Sequence, residues 1–525
     1  VVFQRSGLGR AAAVFATGAA LLSPLAAAAS TYGVSDSAWG SSSQVNSLAW
    51  ALAQANANPG ADTITIAPGL VINVDAATAG TGSWLATVSD GLTIQGNGAS
   101  LVGNPSFITT GGQTYTKFNV DRFSPPPLGS DILTQQAFSF AKVNPGVTIG
   151  INGLTLDGLN GFLQLGNGAN ATISNGAVRN TVSYGGVGRS VFEALDNSIL
   201  NISNLVLDRI NPALQTIDAA WEGAIAGTNA TLNMIGSRIS NAASAAGAVV
   251  WSGGVANIVS SIIENSGGIS IRDDTSAGVM NLVNSLISIS AQNSDLQRVQ
   301  AIAGGELNIT ASTLLQDALQ NSYGACTSPD FDCDGKPLTA LQGGVIRLRQ
   351  SVVSLINADV PGLIPAGVNS YSEAALGSGS GGDIQALDSV WVQTTPSQSA
   401  AALQSLMGSP GLLTAGSPFL LQDFGGGLSG YQPLPAGAVP NPTGPLRNQI
   451  ADANGLNQLI NPIDGSVIQL DVLGNPRSRN GLRDIGAIQS TEVPGPLPLS
   501  GAAVALAWSR RLRRRIMLAR FGVGA

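Results

Sequence analysis

Between Ala171 and Val353 apolar and polar residues alternate in one short phrase that keeps returning. It reads Leu200-Asn201-Ile202 then Leu205-Val206-Leu207, and Leu232-Asn233-Met234 then Ser237-Arg238-Ile239. Ala256-Asn257-Ile258, Met280-Asn281-Leu282 and Leu307-Asn308-Ile309 each lead into Ser261, Ser285 and Ser312 in the same way, and Ile346-Arg347-Leu348 then Ser351-Val352-Val353 closes the series. Ile149 to Leu156 and Ala171 to Val178 fit at the front. A period of two belongs to strands with one buried face, not to helices. The second apolar column is Ile151, Ile173, Ile202, Met234, Ile258, Leu282, Ile309 and Leu348, and its members recur at uneven intervals.

One alternating strand pair cannot bury its apolar face alone; stacked copies can, each covering the next. The pattern predicts an all-β chain, a right-handed parallel β-helix (solenoid) with a short N-terminal capping helix and side-loop insertions. Handedness follows from strand twist and the crossover preference. The longer intervals are expected to be loops inserted at one corner. By parity the Asn column (Asn201, Asn233, Asn257, Asn281, Asn308) points outward. The Ser column (Ser237, Ser261, Ser285, Ser312, Ser351) has inward parity beside a turn, where a hydroxyl can bond neighbouring backbone. Both polar columns read as stacking ladders; a ligand-binding Asn row is the sharper alternative.

Before the repeat, Leu48, Leu52 and Ala55 share a helical face and Pro59-Gly60 ends that helix. Asp62 to Ile66 then alternates as a strand. A helix at this point can cover the open end of the stack. Residues 1–29 have the form of a signal peptide, with Arg5 and Arg10, an apolar run from Ala11 to Leu22, and small residues at Ala26 to Ala29. The expected organisation is a leader at 1–29, a β-helix at 44–489 and a tail at 490–525. The β-helix carries excursions near 104–139 and 321–338 and an irregular region at 361–445, with a short helical candidate at Ser399 to Met407.

Composition narrows the chemistry. Of 525 residues 66 are Gly, apolar residues reach 44%, and charged residues are only 10%, against a usual ~25%. That suits short strands and frequent turns and is not a disordered composition. A net charge of −7 argues against a nucleic-acid partner. There is no His, which removes His triads, His bases and His metal ligands, and leaves carboxylates and Arg. The best such cluster is Arg272-Asp273-Asp274; Asp208-Arg209, Asp218 and Glu222 come second. Solvated turns account for the same residues.

In the second excursion, Asp330, Asp332 and Asp334 alternate ahead of Gly335, as in the first half of a calcium loop, although the twelfth position is Leu341 rather than Glu. A solvated acidic turn is the alternative to calcium, and no other cofactor is expected. Cys326 and Cys333 flank this run and can close a small disulfide loop in an oxidising compartment.

Ser47-Leu48-x-x-Ala51-Leu52-x-x-Ala55-Asn56-x-Asn58-Pro59-Gly60-Ala61-Asp62-Thr63-Ile64 resembles the opening motif of bacterial exported right-handed parallel β-helix proteins of the choice-of-anchor type. Members often have Arg where this chain has Ala49. Gly91 to Ala99 resembles the next coil, and Asp471-x-x-Gly474-Asn475-Pro476-Arg477 with Gly481-x-x-Asp484-Ile485-Gly486-Ala487 resembles the closing motif. Arg477 and Asp484 are expected to pair across the last coil. The tail carries Val493, Pro494, Gly495 and Pro496, an apolar run, then Arg510, Arg511, Arg513, Arg514 and Arg515. It resembles a PEP-CTERM sorting tail in which Val-Pro-Gly-Pro-Leu-Pro replaces Pro-Glu-Pro. The basic cluster would halt translocation and hold the chain transiently at a membrane for a sorting peptidase.

The resemblance implies an exported protein, at the cell surface, in the outer envelope or secreted, with a structural or adhesive role and no catalytic activity. Its expected partner is an extracellular glycan or surface matrix. The alternative is a polysaccharide lyase or glycoside hydrolase acting on such a glycan, since hydrolysis needs only two carboxylates across the bond.

Overall fold

The computed structural model describes residues 29–74, 84–103, 108–110, 113–115, 139–159, 161–181, 190–210, 224–240, 242, 248–272, 278–289, 299–302, 305–317, 339–342, 344–356, 374–377, 383–388, 390–393, 412–414, 450–451, 458–478 and 481–489. Among them the chain is all-β and repetitive, with parallel strands and one short helix, Leu48–Ala57.

Apart from two small antiparallel pairs, Ile108–Thr110 with Gln113–Tyr115 and Ile450–Ala451 with Leu482–Arg483, the strands sort into three parallel ladders. The first runs from Thr31–Val34 through Asp62–Ile66, Asn170–Ser174, Ile199–Ser203, Gly278–Val283 and Glu306–Thr310 to Val345–Arg349 and Asp383–Asp388. The second includes Ala177–Thr181, Val206–Ile210, Arg238–Ser240, Ile262–Ser266, Leu286–Ile289, Thr313–Asp317 and Val352–Ile356. The third includes Trp84–Val88, Ser139–Val143, Gly161–Leu165, Phe192–Ala194, Ile269–Arg272 and Val299–Ile302. Four long strands pass through a corner and serve two ladders each: Leu92–Gly103, Thr148–Asp157, Ile225–Ile235 and Val249–Val259.

The register is the one the alternation predicts. Ile151, Ile173, Ile202, Met234, Ile258, Leu282, Ile309 and Leu348 pair in succession. Each is at most 2% exposed. Ile64 and Ile94 extend the column toward the N-terminus. One corner, between first and second ladders, is nearly invariant. It is made by Asn175-Gly176, Asn204-Leu205, Gly236-Ser237, Ser260-Ser261, Asn284-Ser285, Ala311-Ser312 and Gln350-Ser351. Asn175, Asn204, Gly236, Ser260, Asn284, Ala311 and Gln350 all have φ between 47° and 55°. Asn and Gly tolerate this left-handed conformation, which turns the chain in one residue. The variable lengths collect instead between second and third ladders. Ser266 leads to Ile269 almost directly, whereas 104–138 separate Gly103 from Ser139 and 318–338 separate Asp317 from Thr339.

The helix covers the start of the stack. Leu48, Ala51, Leu52 and Ala55 are buried in the same apolar cluster as Ile64 and Ile72. Ser47 caps it, its Oγ accepting from Trp50 N at 3.2 Å. The amide of Asn56 also blunts the edge of Trp84–Val88. Its Nδ2 donates to Thr87 O at 2.6 Å and its Oδ1 accepts from Ser89 N at 2.8 Å. An edge strand covered in this way offers less template for pairing.

The closing motif differs from expectation. Residues 458–489 do not add a rung. They lie against the outside of the ladders, where Ile485, Ala487 and Ile488 pack with Leu286, Leu315 and Val352, and Leu459 packs with Val259, Val283 and Ala311. Ala487 N donates to Thr313 Oγ1 at 2.9 Å and Gly486 N to Gln350 O at 3.0 Å. The physical reason lies in the turns: Gly465, Gly474, Gly481 and Gly486 all have positive φ, so the segment bends repeatedly and extends only over Leu482–Arg483, which pairs antiparallel with Ile450–Ala451. Its apolar residues then fill outward positions at Leu286 and Val352 that a solvated strand would make polar.

Candidate functional site

Two outer faces carry organised polar groups. The first is the Asn row. Asn233 Nδ2 donates to Asn201 Oδ1 at 2.9 Å, Asn257 to Asn233 at 2.9 Å, Asn281 to Asn257 at 2.8 Å, and Asn308 to Asn281 at 3.2 Å. Rung spacing of about 4.8 Å is what lets one amide reach the next. The row ends where Asn308 also donates to Glu306 at 2.9 Å, and Glu306 pairs with Arg347 on the next strand. That guanidinium is the main reason the Glu306 carboxyl sits below its ordinary range.

The Ser column behaves as a buried relay. Ser261 Oγ accepts from Ser237 N at 3.2 Å and donates to Val259 O at 2.9 Å. Ser285 does the same with Ser261 N and Val283 O, Ser312 with Ser285 N and Thr310 O, and Ser351 with Ser312 N and Arg349 O. Each hydroxyl thus satisfies a corner N–H of one rung and a carbonyl of its own.

The second face is an outward row on the second ladder: Asp157, Arg179, Asp208, Ser240 and Glu264, paired in that order. Ser240 Oγ donates to Asp208 Oδ1 at 2.9 Å. Arg238 Nε donates to Glu264 Oε1 at 2.7 Å, and the same guanidinium closes an ion pair through Nη2. Glu264 is 5% exposed, and its Oε2 is buried without a partner. Burial pushes its carboxyl above the ordinary value of 4.5, more than Arg238 pulls it down, and Asp208 adds repulsion. Nothing local in the sequence marks Glu264 as a neighbour of Asp208, because the register that joins them passes through Ser240.

Arg272 is the last residue of Ile269–Arg272, pairing with Ser252 and Ile302, while Asp273 and Asp274 lie outside the described residues. So do Asp218, Glu222, Cys326, Cys333, Asp330, Asp332, Asp334, the leader through residue 28, the helical candidate at 399–407 and the tail from 490, including Val493, Pro494, Gly495, Pro496 and Arg510 to Arg515. Among the described residues no group of three or more carboxylates or thiols is placed to hold a metal. Among them, too, no helix is long and apolar enough to cross a membrane.

Under the closing segment sit Arg477, Arg483, Asp471 and Asp484, all buried. Arg477 Nη1 donates to Gly486 O at 2.7 Å. Desolvation first, then the Arg483 charge, lowers the Arg477 guanidinium to about 10, against the pull of Asp471 and Asp484. Asp471 accepts from Leu473 N, Asn475 N and Gln489 N, which fixes the turn and ties its two halves together. These residues hold the segment in place, but the expected pairing of Arg477 with Asp484 is not made: Arg477 bonds Gly486 O, and its Nε and Nη2 have no hydrogen-bond partner.

Comparison with family models, curated proteins and solved structures finds no match for this chain.

Proposed function

We propose that the three ladders are the faces of one right-handed parallel β-helix, and that the chain is an exported, surface-associated structural or adhesive protein without catalytic activity. The observation that carries this reading is the use of the polar rows. The Asn and Ser side chains bond from rung to rung over most of the repeat, so the regular chemistry on the faces serves to keep a long stack rigid. Right-handedness is the rule for parallel crossovers. The resemblance of the opening, repeat and closing motifs to exported β-helix proteins of the choice-of-anchor type supports the same reading. So does the Val493 to Pro496 signature followed by Arg510 to Arg515, which fits a PEP-CTERM-like tail read by a sorting peptidase. Screening purified protein for turnover of acidic and neutral polysaccharides, with and without calcium, tests the non-catalytic part; cleavage of any of them would sink it. Intact-mass measurement of protein from native cells tests the tail. A species ending near Val493 to Pro498 is expected, and a secreted species retaining Arg510 to Ala525 would contradict it.

One observation favours a second reading, a glycoside hydrolase. Asp208 and Glu264 stand two rungs apart in one outward row, about 9.6 Å along the stack. That backbone spacing is just above the roughly 6.5–9.5 Å between carboxyl groups used by inverting enzymes. Burial favours the protonated form of Glu264, as a general acid requires. If the screen finds hydrolysis, Glu264→Gln must abolish it; unchanged turnover would exclude this pair.

A further inference from the structure

We infer that the Asn row on the outer face of the first ladder is a docking ledge for an uncharged polysaccharide chain lying along the stacking direction. The inference rests on the adhesive reading and names its partner.

An Asn amide has two N–H donors and an oxygen with two lone pairs. Within the row Asn233, Asn257 and Asn281 each spend one donor on the preceding rung and one lone pair on the following one. The row itself therefore leaves each amide one N–H and one lone pair, repeated every ~4.8 Å, with Asn233 and Asn281 partly exposed and Asn257 between them only 7% exposed. A polymer with a hydroxyl-bearing repeat can meet such an array with donors and acceptors in register. Each contact is weak, and many in series give avidity.

The charge pattern selects the class of polymer. From Thr63 to Val283 no outward position of the described first-ladder strands is ionisable; the first charges are Glu306 and, beyond it, Arg347 and Arg349. An acidic glycan or a nucleic acid would lack the cations it needs. A protein strand would need a free backbone edge, and here the backbone is spent on the rungs to either side. Beside the amides runs a second outward row, Ile199, Thr231, Val255 and Val279, which pair in that order. It is partly solvent-accessible and mostly apolar, and it suits the C–H face of a sugar ring whose hydroxyls reach the amides.

The experiment uses the full chain and measures its depletion from solution by microcrystalline cellulose, chitin and an insoluble β-1,3-glucan, with polygalacturonate beads as the acidic comparison. At least one neutral glycan should retain the protein, and molar NaCl should not release it, because no ion pair is involved. Val255→Arg combined with Val279→Arg places long charged side chains beside the row without touching the amides. It should weaken retention by at least about tenfold at wild-type melting temperature. Ile199→Lys is the second variant, in case the first does not fold. If neither folds, hydrogen exchange on wild-type protein decides: the bound glycan must slow exchange in Val249–Val259 and Gly278–Val283.

The inference is overturned by failure of every neutral glycan to retain the chain, by retention that only polygalacturonate gives or that salt abolishes, by folded variants that bind like wild type, or by protection confined to other strands. Protein that still coats native envelope material stripped of neutral glycan would leave the adhesive reading standing and remove the ledge. Protein that binds neutral glycan in solution but never accumulates at the cell surface would do the reverse.

Discussion

The indole of Trp251 occupies the space that a side chain on Gly227 would need. The two residues are paired across adjacent rungs, and a Cβ on Gly227 would fall 2.3 Å from the ring. Trp251 is fully buried and donates from Nε1 to Ala230 O at 3.1 Å, so it is held at both ends. Gly227→Ala should cost roughly 1–3 kcal/mol, the usual penalty of overpacking. Urea unfolding of the single variants and of Gly227→Ala with Trp251→Leu measures it. The double variant should lose less than the sum of the two, because removing the ring removes the clash. Strict additivity would mean that the close approach is not where the cost arises.

Ser285 offers a second test, of the corner relay. Its hydroxyl accepts from Ser261 N at 3.2 Å and donates to Val283 O at 2.9 Å, with no solvent to replace it. Ser285→Ala leaves a buried N–H without a partner, at a cost of about 1–3 kcal/mol. Hydrogen exchange at Ser261 should accelerate more than at Ser237, whose partner Ser261 Oγ remains. Equal acceleration at both would show that the relay acts as one cooperative unit.

How much of this was legible in the sequence depends on whether a feature repeats. The column through Ile202 and Ile258, the outward Asn row and the inward Ser column all follow from a period of two combined with a recurring phrase, and the observed pairing agrees with each. The capping helix was legible because Ser47, Leu48, Leu52 and Pro59 are local signals. The third ladder was not. Its core column runs from Leu163 and Phe192 to Val249, Ile269 and Val299, with the rings of Phe140, Phe162 and Phe192 tilted against one another at 5.2–5.7 Å, and the variable segments precede its strands, so no phrase recurs. The lateral packing of 458–489 was invisible for another reason: Thr313 and Ala487 meet across a separation of 174 residues, and nothing local marks that contact. The nearness of Glu264 to Asp208 needed the register of three strands at once.

Glu264 makes a prediction about pH. Its carboxyl titrates above the unfolded value near 4.5, because burial outweighs the help of Arg238. The folded state therefore keeps a proton that the unfolded chain has already released, and stability falls as pH rises from about 4.5 through the folded pKa. Glu264→Gln removes that dependence while keeping the shape. Melting curves from mildly acid to neutral pH should show the variant gaining on wild type as pH rises. A variant that loses ground toward neutral pH would mean that the Arg238 ion pair outweighs desolvation.

Arg477 tests whether the closing segment is a separate, detachable layer. The guanidinium is buried beside Asp471 and Asp484, which offset its cost, and beside Arg483, which adds to it. Its Nη1 bonds Gly486 O, next to the amides that reach Gln350 and Thr313. Arg477→Met would leave carboxylates buried without their compensating charge, a change that typically costs about 3–5 kcal/mol. The stack beneath has its own core, in which Ile258 and Leu282 are fully buried by neighbouring rungs, so the loss should fall on the segment alone. Hydrogen exchange should then accelerate sharply at Gly486 and Ala487 and barely change at Ile258. The newly exposed Leu286, Leu315 and Val352 should bind a hydrophobic dye while far-ultraviolet dichroism stays that of a β protein. Loss of protection at Ile258 together with Ala487 would refute the separation, and would mean that the lateral segment and the ladders unfold as one body.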